Sequence, residues 1–307
     1  MKTHSPVNYK LNDKDLSRMS VLLHCLIFVC VFGPASVLAE FRAITLNAEW
    51  LWTPFDNKVD GSIASIRDMS IPAYSEELAF YAALINTHKI DVLVISEIEN
   101  EQVAKELASK FGKQWTHYFK QGLDTATGQD VAILSRLPYV DGSLTHFNFP
   151  AAKLHLLDKP KKITKLVGAQ FWLETNGKRE KLGVITAHFL SKRNESKQKS
   201  ENRQKQALAL RQAIEIFAKE TDKILVLGDF NDQIDSATLT ILQQVPLQSY
   251  ATCDNFLESS AENSLKKWRR NIDHILFTGL HCLSQEKIDL QHFSDHDAIF
   301  GRFNLPR

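Results

Sequence analysis

Apolar and polar positions along this chain repeat with two different periods that take turns from Phe41 to the carboxyl terminus. Short runs rich in β-branched and aromatic residues, bounded by polar or turn residues, predict strands. They are FRAITLN (Phe41 to Asn47), IDVLVIS (Ile90 to Ser96), DVAILS (Asp130 to Ser135), LVGAQFWLE (Leu166 to Glu174), LGVITAHF (Leu182 to Phe189), KILVLGD (Lys223 to Asp229), DHILFT (Asp273 to Thr278) and AIFGRF (Ala298 to Phe303). Between several of them apolar residues recur at spacings of three and four, which predicts helices: SEELAFYAALINTH opened by Ser75 as a cap, NEQVAKELASKF from Asn100, and SENRQKQALALRQAIEIFAKE from Ser200. Strands outnumber helices, and short polar stretches join some neighbours. The expected class is mixed α/β with mixed or antiparallel sheets, without the regular alternation of a doubly wound fold. No repeat, low-complexity segment or Pro/Gly-rich linker divides residues 40–307, so one domain is expected there.

Upstream the pattern is different. Val21 to Gly33 is an apolar run interrupted only by His24, with Arg18 before it and ASVLAE after it. Small residues at Val37 and Ala39 predict signal-peptide cleavage between Ala39 and Glu40, so residues 1–39 are read as a leader and the folded part as exported, periplasmic or secreted. The run is shorter than the roughly 20 residues a membrane span needs; a single anchor is the alternative, as is translation from Met19. No stable membrane span is expected after cleavage, and a monomer is. Cys25 and Cys30 would leave with the leader. Cys253 and Cys282 remain, and in an oxidising compartment either a disulfide between them or two buried thiols is open. The 307 residues are 44% hydrophobic and 24% charged, which excludes disorder and fibres, and a formal charge of +1 leaves any pull toward nucleic acid to local patches.

Chemistry gathers where strands stop. Asn47, Glu49, Glu97, His188, Asp229 and Asn231 sit at carboxyl ends of expected strands, Asp295 and His296 just before the last one, and Asp273 begins another. Any one of these has an ordinary explanation, because Asp and Asn stop strands and cap helices. Together, hard oxygen donors with two histidines suit a Mg²⁺ or Mn²⁺ site. In KILVLGDFNDQ, Asp229 and Asn231, two residues apart, are expected on one strand face, with Phe230 turned into the core.

Six segments, TLNAEW, VISEIE, GQDVAILSR, TAHF, LGDFND and IDHILF with SDHDA, resemble in wording and order the endonuclease/exonuclease/phosphatase superfamily. The resemblance implies a four-layer α/β/β/α sandwich: two packed mixed β-sheets, outer helices, and one catalytic cleft at the strand ends. It implies that Glu97 binds the divalent metal and that Asp229 orients and deprotonates the attacking water. Asn231 would contact a phosphate oxygen or the metal shell, with Asn47 steadying that pair. His296 would stabilise the phosphoryl charge with Asp273 orienting it, Asp295 would sit beside the metal, and Glu49 would serve a second metal. His188 would face the leaving group as in the deoxyribonuclease branch; apurinic endonucleases carry a tyrosine there.

Substrate class rests on basic residues. From His188 to Arg211 there are seven Lys or Arg against two Glu, and Lys266, Lys267, Trp268, Arg269 and Arg270 precede Asp273. The first stretch reads equally as a solvated helix face; the second could grip a nucleic-acid backbone with Trp268 stacked on a base. The expected activity is a Mg²⁺-dependent nuclease cleaving DNA, with RNA as a second substrate. The alternatives are a phosphatase or sphingomyelinase-like enzyme of the same fold, although no clear apolar hairpin for a bilayer is legible, and a binding protein that has lost the reaction. Trp50, Trp52 and Trp172 are read as packing residues, and His274 as facing away from Asp273.

Overall fold

The computed structural model describes residues 40–54, 70–123, 128–156, 159–175, 177–242, 247–248, 253–257 and 271–306. The leader 1–39 and the Lys266 to Arg270 stretch lie outside them. In chain order the elements are β1 (Phe41–Leu51), α1 (Ile71–Thr87), β2 (Val92–Ile98), α2 (Glu101–Phe111), β3 (Thr116–Phe119), β4 (Asp130–Ser135), β5 (Thr145–His146), β6 (Phe149–Leu156), β7 (Lys159–Ile163), β8 (Leu166–Thr175) and β9 (Lys178–His188). They continue with α3 (Lys197–Phe217), β10 (Ile224–Asp229), α4 (Ala237–Leu242), β11 (Asn255–Leu257), β12 (Asp273–Thr278), β13 (His281–Asp289) and β14 (Asp297–Asn304).

Two sheets form, one of seven strands in the order β11-β13-β14-β1-β2-β4-β3 and one of five in the order β12-β10-β9-β8-β5. Both are mixed: β1 runs parallel to β2 and antiparallel to β14, while β10 runs parallel to β9 and antiparallel to β12. The strand period of two divides each central strand between two cores. In β1, Phe41 and Ala43 enter a core shared by both sheets, whereas Ile44, Leu46 and Ala48 face α1 and α2. In β10, Leu225 and Leu227 enter the shared core, and Ile224 and Val226 pack with Leu210, Ala213 and Phe217 of α3. Three cores between four layers are the expected α/β/β/α sandwich.

Local details depart from the sequence reading. The cap of α1 is Ser70, whose hydroxyl accepts from Ala73 N–H, and not Ser75; Pro72 in the first turn needs no N–H partner, so the helix starts earlier. For α3 the cap is Ser196, because its first turn, Lys197 to Ser200, is polar and invisible to apolar periodicity. Asn100 caps α2 as expected. β13 was not anticipated, since its residues HCLSQEKID are half polar; it holds its place by pairing with β14 and β11. β6 and β7 form a separate two-stranded hairpin that the sequence did not reveal. Cys253 and Cys282 are joined in a disulfide, which closes the alternative left open above. Among the described residues, no helix is long and apolar enough to cross a membrane.

Candidate active site

The inner faces of the two sheets change character toward one end. Along β9 the series Leu182, Val184, Thr186, His188 and along β1 the series Phe41, Ala43, Thr45, Asn47 pass from apolar to hydroxyl to functional side chains, all buried. Asn47 bridges the sheets: its amide donates to Glu97 Oε1 at 2.9 Å and to Asp229 Oδ2 at 3.0 Å. Its Oδ1 accepts from Glu49 N–H at 2.8 Å, so the amide cannot turn without losing bonds at both ends.

Glu97 reaches the cleft through an irregularity. Leu93, Ile95 and Ile98 belong to the core under α1 and α2, and strict alternation would send residue 97 to that side as well. The β1 and β2 registers shift together, between Asn47 and Leu51 and between Ser96 and Ile98. Glu97 takes a left-handed backbone with φ of 62°, and Glu49 and Trp50 do so opposite it with φ of 46° and 73°. A bulge of this kind re-aims one side chain, here away from the helices and toward Asn47. Glu97 Oε2 accepts from Gln129 Nε2 at 2.6 Å.

Asp229 ends β10, and Asn231 lies beyond it in a left-handed turn with φ of 49°. The two are therefore joined by a turn, not by sharing a strand face as expected. Asn231 N–H donates to Asp229 Oδ1 at 2.8 Å, while its amide donates to Asp229 Oδ2 at 3.1 Å and to Phe189 O at 3.0 Å. Both amide hydrogens are thus engaged within the protein, leaving Oδ1, an acceptor, which suits a cation or its water better than a phosphate oxygen. Phe230 is fully buried beside Phe189 and His274, as anticipated.

His296 Nδ1 lies 2.6 Å from Asp273 Oδ2, and its Nε2 lies 3.9 Å from Asp229 Oδ2 and 3.7 Å from Asp295 Oδ1. Burial alone would lower its pKa, but Asp273, Asp229 and Asp295 overcome it and raise it to about 11, so the imidazolium persists at neutral pH. Burial first and Asp273 second push Asp229 up to about 8, and burial raises Glu97. His188 Nε2 stands 3.6 Å from Glu97 Oε1 and 3.7 Å from Asp229 Oδ2, with Lys165 Nζ 3.2 Å from its Nδ1. Burial, and then Lys165, hold this imidazole well below its usual range.

Among the described residues, two groups of side chains could hold a metal ion, Glu97 with His188 and Asp229, and Asp229 with Asp273 and His296. Buried carboxylates pushed toward protonation are the setting that a divalent cation relieves, and the oxygen-rich donor set fits Mg²⁺ or Mn²⁺. Glu49 stands outside both groups, with its Oε2 accepting from Asp295 N–H at 2.9 Å, and the Asp295 side chain is exposed. Trp50 and Trp52 pack on each other, and Trp172 lies under the Arg179 guanidinium. His274 faces the opposite side, its Nε2 2.9 Å from Asp232 O.

Three residues escaped the sequence reading. Gln129 stood in a quoted motif without a role. Ser294 donates to Asn47 O at 2.8 Å and accepts from His296 N–H at 3.0 Å, tying the two halves of the site. Lys165 gave no signal, being one cation at the head of an apolar strand.

The sequence profile of the Endonuclease/Exonuclease/phosphatase family matches residues 72–296, well over half of the chain. The protein belongs to this family. Its members hydrolyse phosphoester bonds with a divalent metal, as nucleases or phosphatases. None of the curated proteins matches the sequence. Among solved structures, an endonuclease/exonuclease/phosphatase from Bacteroides vulgatus is 16% identical with a TM-score of 0.65, covering 87% of this chain and 100% of its own. A mannosyl-6-phosphatase from Bacteroides thetaiotaomicron is 13% identical with a TM-score of 0.57, over 87% and 100%. D. rerio TDP2 complexed with a single-strand DNA product is 16% identical with a TM-score of 0.54, over 87% and 99%. At such identities the likeness is one of fold.

Proposed function

We propose that this protein is an exported, Mg²⁺- or Mn²⁺-dependent nuclease that hydrolyses DNA, and RNA as a second substrate, by in-line attack of water on phosphorus, acting as a monomer. The observation that carries the hydrolytic reading is Asp229, buried, fixed by three hydrogen bonds from Asn47 and Asn231, and facing a persistently charged His296. A carboxylate whose proton affinity is raised by burial accepts a proton from water better than an exposed one. His296 stabilises the charge that builds on the phosphoryl oxygens, and Asp273 holds its ring. His188 faces the departing alkoxide. Glu97 would hold the metal, with Asn231 Oδ1 beside it and Asp295 at the margin; a bound Mg²⁺ would polarise the phosphoryl group and acidify water.

Nucleic acid is favoured over other phosphoesters by the basic Lys266 to Arg270 stretch preceding Asp273, and by the DNA product bound to a protein of the same fold. Export is supported by the Cys253–Cys282 disulfide, since such bonds persist in oxidising compartments. A second reading, a phospholipid or phosphosugar substrate, is favoured by the separate β6–β7 hairpin and by the mannosyl-6-phosphatase of like fold.

The test sets the protein and Asp229→Ala against supercoiled plasmid, linear duplex, single strand, RNA, sphingomyelin, inositol phosphates and mannose 6-phosphate, each with Mg²⁺, Mn²⁺ or EDTA. Metal-dependent loss of nucleic acid, absent in the variant, is expected. Turnover of lipid or phosphosugar with intact nucleic acid would replace the nuclease by the second reading, and silence throughout would favour a binding protein.

A further inference from the structure

We propose that Lys165 is a positioning residue that locks His188 in a single tautomer, Nδ1 bare and Nε2 protonated, making it a neutral hydrogen-bond donor in the cleft and neither a base nor a metal ligand. The inference deepens the hydrolase reading and rests on it for the catalytic consequence, though not for the tautomer.

The geometry is a relay of one contact. Lys165 Nζ lies 3.2 Å from His188 Nδ1. An ammonium carries donors only, so Nδ1 must be the acceptor and the ring proton must sit on Nε2. Nε2 faces Glu97 Oε1 and Asp229 Oδ2 at 3.6 and 3.7 Å. Both distances exceed a good hydrogen bond, so Nε2–H is engaged by neither carboxylate and remains a donor between them. A ring nitrogen that carries a proton has no lone pair for a cation, which removes His188 from the group it could form with Glu97 and Asp229.

The lysine is held for this task. Lys165 and His188 are 8% and 5% exposed, so the ammonium does not sample solvent as a surface lysine would. Thr164, the preceding residue, is pinned on both sides: its hydroxyl accepts from Leu123 N–H, and its carbonyl oxygen lies 2.6 Å from His146 Nε2. The stem is packed as well. A Cβ added at Gly122 would come within 2.5 Å of Lys165 Cγ and 2.8 Å of Asp130 Oδ1, and Gly122 N–H already donates to that Asp130 oxygen. Only a residue without a side chain lets the lysine stem pass.

The experiment labels histidine with ¹⁵N and compares wild type, Lys165→Met, Lys165→Arg and Gly122→Ala by two-bond ¹H–¹⁵N spectra, alongside kcat and KM on the substrate identified above. In wild type, His188 shows one tautomer with a hydrogen-bonded, unprotonated Nδ1. Lys165→Met and Gly122→Ala lose that signature and fall on the order of 10- to 100-fold in kcat, the range for removing a group that orients a functional histidine, with KM within about twofold. Lys165→Arg keeps the signature and most of kcat. A wild-type tautomer and kcat in Lys165→Met would overturn the proposal. So would a signature in which wild-type Nδ1 carries the proton. If Lys165→Met fails to fold by near-ultraviolet circular dichroism, Gly122→Ala, which keeps the ammonium but displaces it, decides in its place. A tautomer that shifts in a protein inactive on every phosphoester would sink the hydrolase reading and leave the positioning contact standing.

Discussion

Four residues at the cleft, Glu49, Trp50, Glu97 and Asn231, take left-handed backbone although none is glycine. Each such conformation costs roughly 1–3 kcal/mol and persists only where its surroundings hold it. Here the holding contacts lie within the candidate site itself, from Asn47 and Gln129 to Glu97 and between Asn231 and Asp229. The dependence of one side chain on another is sharpest at His296, whose raised pKa comes first from Asp273 among the carboxylates around it. In Asp273→Asn the imidazolium loses that partner, and its pKa must fall. A group charged only below its pKa then discharges at lower alkaline pH, so the falling limb of the kcat–pH profile moves toward neutrality from near 11. At pH 7 kcat drops on the order of 10²- to 10³-fold, as for removal of one charge-stabilising donor. A pH–rate series on the two proteins measures both effects.

Pairing of β9 with β10 sets the distance between His188 and Asp229, which stand opposite each other in the parallel register. Gly228 makes that pairing possible: its φ is +154°, and a Cβ there would lie 2.0 Å from Ala187 O, its own register partner. The glycine of LGDFND thus allows two backbones to approach one residue before Asp229. Gly228→Ala is expected to lose about 3 kcal/mol or more of stability, from backbone strain together with a contact that neither strand can relieve. The urea midpoint at pH 7 reads it; a midpoint equal to wild type would show that the strands separate without cost. Helix ends were less legible than strands. Ser70 and Ser196 cap α1 and α3 through single side-chain bonds that leave no mark on apolar periodicity.

Asn47 and His296, carried by one sheet, meet Asp229 and Asp273, carried by the other, so the sandwich must close before the site exists. Within the larger sheet, Glu40 joins Arg42 on β1 to Arg302 on the adjacent β14. Arg302 first, with Arg42 assisting against the opposing effect of burial, lowers the Glu40 pKa from 4.5 to about 2. A depressed carboxylate stabilises fully above its unfolded pKa and loses that contribution as pH falls toward its folded one. Glu40→Gln should therefore be less stable than wild type by about 1 kcal/mol at pH 7, the scale of a partly exposed pair, and the gap should narrow between pH 4.5 and 2. Thermal melts at pH 7 and 3 would show it, and a constant gap would exclude the ion pair as its source. Much of this molecule was legible in the one-dimensional pattern. Continuous apolar runs such as VLVI and ILVL announce central strands, because a strand between two cores must present apolar residues on both faces. Asn47, Asp229, Asp273 and His296 could be named because they stand at the ends of those runs. What the pattern could not carry is whatever alternation does not govern. The bulge that turns Glu97 out from under the helices, the turn that folds Asn231 back on Asp229, and the contact of Lys165 with His188 arise when two sheets pack, and they depend on distances that residue order along the chain does not contain.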